Sequence, residues 1–127
     1  IVLTAVLLSI EQCKYLTSLA HQLGMEVALK LYTIEEIDYL ECDVDLIIIN
    51  NRIACSFDMD VNKSFEFAKL LPNDCIKVSE GGIYTPEKAK ELSDVGFQGI
   101  IIGDLFMKTA NPGYALGEFI KGIKKEN

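Results

Sequence analysis

Five short aliphatic runs recur along the chain, and each is followed by a segment carrying helical start signals. The runs cover residues 1–7, 27–31, 46–49, 76–78 and 100–102. The run at 46–49, Leu-Ile-Ile-Ile, is the most constraining of them. It is too apolar for a half-exposed antiparallel strand and suits a parallel sheet covered by helices. Between the runs, Ser9 and Gln12 have capping-box spacing, and Cys13, Leu16, Ala20 and Leu23 follow at helical spacing up to Gly24. Thr33 and Glu36 repeat the box and predict a short helix through Leu40. A helix around 63–71 closes at Pro72, and Thr85-Pro86 supplies a cap and an N1 proline for a helix running to Gly96. Asn111-Pro112-Gly113 opens a terminal helix whose Ala115, Leu116, Phe119, Ile120 and Ile123 form a predicted inward stripe.

Strand and helix therefore alternate five times, which implies a parallel sheet with right-handed crossovers. No linker or low-complexity stretch interrupts the 127 residues, so a single unit without an internal boundary is expected. Two architectures fit, a small open sheet or a piece of a barrel, because a full (β/α)8 barrel needs about 200 residues or more. The chain opens without methionine, already inside its first aliphatic run, and is expected to be part of a longer protein. That run lacks a basic flank and a cleavage site and is too short to cross a bilayer.

Half the residues are apolar and the formal charge is −7, which argues for a globular chain and against disorder. The acidic balance argues against nucleic acid or an anionic membrane as partners, while a local site for an anionic small molecule remains compatible with it. Four cysteines without CxxC spacing are expected to be free thiols in a reducing cytoplasm. With His21 as the one histidine, no metal site is expected.

The stretch 76–83 carries the chemistry. Its aliphatic run stops at Glu80, Gly81 and Gly82 follow at once, and a capped helix begins shortly afterwards. A carboxylate at a strand end, next to backbone that a ligand can approach closely, is how parallel α/β proteins build sites. Asn50-Asn51-Arg52 ends the third run and Gly103-Asp104 the fifth, so polar residues recur at successive strand ends.

The segments LIIINNR with SFDMD, IKVSEGGIYTPE and GIIIGDLFMKTANPG resemble, in order and separation, the C-terminal half of indole-3-glycerol-phosphate synthase. The resemblance runs along the whole chain. It implies α/β architecture, a partial TIM (β/α)8 barrel of five consecutive βα units with parallel strands, corresponding to barrel strands four to eight. It also implies a carbon–carbon lyase of tryptophan biosynthesis, closing the ring of and decarboxylating 1-(2-carboxyphenylamino)-1-deoxyribulose 5-phosphate, with no cofactor. By the same resemblance Glu80 matches the family's active-site glutamate and Asn50 a substrate-binding asparagine. Arg52 matches the arginine of the NNR motif; it either contacts substrate or pairs with Asp58 or Asp60 to hold the loop. Gly82, Gly103 and Asp104 lie where barrels cradle phosphate on backbone N–H groups, assisted by a short helix at 105–107. Gly81 stands at the family's usual serine, which removes a hydroxyl from a substrate-binding position.

Two departures bear on catalysis. Lys30 occupies the position of a family glutamate, reversing the local charge; it is expected to pair with Glu80 or to reach a phosphate or carboxylate of the substrate. Ile53 stands where an aspartate usually follows NNR. The family's catalytic lysines and a further glutamate belong to the first three strands, upstream of Ile1, so the 127-residue chain alone is expected to be inactive. Expected partners are a small phosphorylated substrate and either an N-terminal barrel half or a second copy docking on the unpaired first strand. A phosphate-binding half-barrel without chemistry and a phosphoribosylanthranilate isomerase-like barrel are the alternatives.

Overall fold

In a computed structural model, which describes residues 1–125, the chain forms one five-stranded parallel sheet in the sequential order β1-β2-β3-β4-β5. The strands are β1 (Val2–Thr4), β2 (Ala28–Leu31), β3 (Leu46–Asn50), β4 (Ile76–Glu80) and β5 (Gly99–Ile101). The helices are α1 (Ile10–Gln22), α2 (Asn62–Ala68), α3 (Pro86–Asp94), α4 (Asp104–Met107) and α5 (Pro112–Lys124), with 3-10 turns at Ala5–Leu7 and Ile34–Cys42. An open doubly wound sheet reverses its strand order partway. A strictly sequential order instead stacks every right-handed crossover on one face, as in a sector of a barrel.

Period-two alternation makes the two faces chemically distinct. Leu3, Leu29, Leu31, Ile47 and Ile49 point to one side and are buried under the helices, with Phe67, Leu92 and Phe119 in the same core. The strand register puts Lys30 level with Ile48, and Asn50 level with Glu80, on the opposite side. Among the described residues, no helix covers that side. Val2, Ile76 and Ile101 are exposed there, and Lys30, Val78 and Glu80 are half-buried.

Local signals account for most boundaries. Ser9 Oγ accepts the Gln12 N–H, and the Gln12 side chain accepts the Ser9 N–H, so α1 starts where the capping box predicts. Thr85 accepts the Lys88 N–H at the start of α3, and Asn111 accepts the Tyr114 N–H at the start of α5. Three expectations change. The first strand is three residues, not seven, because a turn closed by Leu8 N–H to Ala5 O redirects the chain toward α1. The segment after Thr33 is a 3-10 helix, held at its start by the Glu36 carboxylate on the N–H groups of Tyr32 and Thr33. The stripe on α5 is narrower than its spacing suggests: Phe119 is buried and meets Phe106 edge-on at 5.4 Å, whereas Leu116 and Ile120 face outward.

Candidate functional site at the strand ends

β3 and β4 end side by side, and each ends on a polar residue of the open face. Asn50 Nδ2 donates to Glu80 Oε2 at 2.9 Å, and Asn50 Oδ1 accepts the Arg52 N–H at 2.9 Å, which fixes the amide's orientation. Lys30 reaches across β3 from β2, and its Nζ lies 2.8 Å from Glu80 Oε2 and 3.2 Å from Oε1. Both side chains are about four-fifths covered, at 20% and 22% exposure, so the pair gives up much of its hydration and holds by direct contact. Of the two expectations for Lys30, the structure forms the pairing with Glu80.

A cavity of about 390 Å³ adjoins this group, lined by Arg52, Glu80, Gly81, Gly82, Gly103 and Asp104 among others. Five of the sequence-predicted positions beside Glu80 thus share one wall. Lys30 and Asn50 touch the cavity only through Glu80. A larger cavity, about 470 Å³, lies on the far side of α1 against Ile34–Cys42. Of its charged groups, Lys14 is paired with Glu41 at 2.7 Å, and His21 with Asp45 at 2.8 Å. The strand-end cavity is the one that collects candidate chemistry.

Gly81 and Gly82 both take left-handed backbone, φ +90° and +71°. A Cβ on Gly81 would sit 2.9 Å from Met59 Sδ, so glycine in the place of the family's serine goes with a methionine thioether in the space a side chain would fill. The Gly81 N–H donates to Ile101 O at 3.3 Å and belongs to the sheet. Gly103 caps the short helix α4 with open space around its Cα, so no neighbour there demands a glycine. The Asp104 carboxylate faces solvent, 3.8 Å from Lys108, and leaves the backbone of that turn toward the cavity.

Arg52 pairs with neither Asp58 nor Asp60 among the described residues. Its guanidinium lies 5.8 Å from the Phe57 ring centroid, and its carbonyl accepts from Lys63 Nζ at 2.6 Å. Burial lowers the Lys63 ammonium from its ordinary range, and the carboxylates of Glu36 and Asp60 oppose that shift. The loop is held instead by Ile53 N–H to Asp58 O and Asp60 N–H to Asn51 O.

One group of residues at the site was not singled out in the sequence. Asn51, Ser64 and Ser79 are fully buried behind Asn50 and Glu80 and hydrogen-bond one another. The available signal was period two: Ser79 precedes the open-face Glu80 and so faces the helices, where a hydroxyl needs a partner.

The family model for indole-3-glycerol phosphate synthase matches residues 1–119. An indole-3-glycerol phosphate synthase of Bacteroides thetaiotaomicron is 44% identical over 124 residues, covering 98% of this chain and 48% of that protein. One from Lachnoclostridium phytofermentans is 31% identical, covering 87% of this chain and 41% of that protein. Among solved structures, "Native KDPGal structure" aligns with a TM-score of 0.63 at 19% identity over 98% of this chain and 56% of that one. "Crystal structure of Amycolatopsis orientalis BexX/CysO complex" gives 0.64 at 14% identity over 91% and 46%; both likenesses concern the fold alone. The chain spans about half the length of the curated relatives it matches. With the order of its motifs, the sequential parallel sheet and a family match over nearly its whole length, the chain belongs to the indole-3-glycerol phosphate synthase family.

Proposed function

We propose that this chain forms strands four to eight of an indole-3-glycerol phosphate synthase barrel and contributes one wall of its active site. The supporting observation is the convergence of Asn50 and Glu80 at neighbouring strand ends beside a cavity lined by Gly82 and Gly103. In this reading the substrate phosphate lies on the backbone N–H groups of Gly82, Gly103 and Asp104. Gly81 leaves room for the sugar chain, and Arg52 meets an anionic group of the substrate. Ring closure removes the former carbonyl oxygen as water, so a group must exchange a proton at that oxygen. Glu80 is the carboxylate in position, and Asn50 holds it in orientation. Lys30 pairs with Glu80 in the free protein and turns to the substrate carboxylate when it enters. The substrate is then a small phosphorylated compound of the cytoplasm. Strands one to three pair with the free edges of β1 and β5, with a second copy of the chain as the other possible occupant of those edges.

A second reading is favoured by Lys30 itself: an ammonium that neutralises Glu80 suits a barrel that holds phosphorylated ligands without turnover. Joining this chain to the N-terminal half of the Bacteroides relative and assaying indole-3-glycerol phosphate formation separates the two. The 127-residue chain alone is expected to show no turnover, and the joined barrel to turn over and to lose about 100-fold or more with Glu80→Gln. A folded but inactive joined barrel that gains activity with Lys30→Glu selects the binding reading. Turnover by the isolated chain overturns the proposal.

A further inference from the structure

We infer that Asn51, Ser64 and Ser79 are positioning residues that set the approach of Glu80 and of the Gly81-Gly82 turn to the ligand; the inference rests on the phosphate-cradle reading above. Asn51 holds three consecutive residues of the site strand. Its backbone N–H donates to Glu80 O at 2.9 Å, and its Nδ2 donates to Ser79 Oγ at 3.0 Å and Gly81 O at 2.9 Å. Glu80 is therefore gripped at its own carbonyl and at the residues before and after it. At this point the chain passes from extended strand into two successive residues with positive φ, Gly81 and Gly82.

The grip is itself held. Ser64, in the first turn of α2, donates to Asn51 Oδ1 at 2.8 Å and shares a 2.7 Å hydrogen bond with Ser79 Oγ. The Asn51 carbonyl accepts from Asp60 N–H at 2.7 Å. Both amide protons of Asn51, its side-chain oxygen and both of its backbone groups are thus engaged. All three side chains are fully buried, so no water competes for these bonds. The neighbours of Asn51 in the chain complete the logic. Asn50 turns to the open face and holds the Glu80 carboxylate, while Arg52 turns to the cavity. Three adjacent residues hold the acid by its head, fix the backbone that carries it and line the mouth beside it.

A purely structural network would stabilise the fold without tuning the site, and the test separates the two roles. Inorganic phosphate is titrated into the 127-residue chain, wild type and variant, following the amide signals of Gly82 and Gly103 by NMR at a temperature where every variant is folded. Ser64→Ala and Ser79→Ala are expected to weaken phosphate binding at least about fivefold, whereas Ser64→Thr, which keeps the hydroxyl, remains within about twofold of wild type. Ile47→Val, a buried change on β3 remote from the network, serves as the stability control and is expected to leave affinity within about twofold. Serine variants that bind phosphate like the control overturn the positioning role. Absence of any phosphate response in the wild type overturns the cradle reading first and the inference with it, so the two failures are told apart by the protein in which they occur.

Discussion

The two sides of β3 and β4 solve opposite problems with adjacent residues. Behind the sheet, Asn51, Ser64 and Ser79 are neutral, fully buried and mutually saturated. In front of it, Lys30 and Glu80 are charged and about one-fifth exposed, Asn50 is buried beside them, and no helix among the described residues lies above the ion pair. A neutral network that excludes water gains its strength from complete pairing and loses it abruptly when one member is removed. An ion pair one-fifth open to solvent is weaker and replaceable. The closed side can hold geometry, and the open side can exchange partners with an arriving anion.

Replacements on the two sides should therefore differ sharply even at consecutive positions. Leu29→Ala empties a fully buried site on the covered face and is expected to cost about 2–5 kcal/mol in urea unfolding. Its neighbour Lys30→Met, on the open face, should cost less, about 1–2 kcal/mol, because Glu80 keeps its Asn50 partner and part of its hydration. Equal losses at 29 and 30 would erase the distinction between the faces. Asn51→Ala lies between these in size: it takes one partner each from buried Ser79 and Ser64 and from the part-buried Gly81 carbonyl, and should cost about 2–3 kcal/mol. A loss no larger than that of Lys30→Met would show that water fills the gap.

The smallest effect is expected away from both faces, at Asp45, whose carboxyl is held below its usual range by the Val27 N–H and then by His21. A folded-state value below the unfolded one stabilises the protein above about pH 4 and is lost as pH falls through the folded value. Asp45→Asn should flatten the acid limb of a stability–pH profile and leave its slope above pH 7 unchanged. An unaltered acid limb would exclude the pair as a source of pH dependence.

How far the sequence anticipates this arrangement depends on the range of the interactions involved. The aliphatic run ending at Asn50, the Ser9–Gln12 capping box and the Thr85-Pro86 start act within a few residues and are legible directly. Glu80 and Asn50 are legible as strand-end polar residues, and the family's motifs sharpen them. The Asn51 network joins positions 13 to 30 residues apart, and each member taken alone reads as an ordinary turn asparagine or surface serine. Met59 beneath Gly81 is invisible for the same reason, since its loop folds back against a strand end 22 residues later. The outward turn of Leu116 and Ile120 defeats helical periodicity for a different cause: spacing identifies an apolar face but not what covers it.

The sequential strand order has a consequence for how the chain acquires its structure. Every strand pairs with its immediate predecessor, so no strand waits for a distant one to arrive. Connections of this kind keep the sequence separation of strand pairs short and favour rapid, stepwise growth at an edge. A barrel built in this way can enlarge one βα unit at a time as the chain leaves the ribosome. Only the last pairing, which joins the two ends of the ring, is long-range, and that closure brings together every strand end around the mouth.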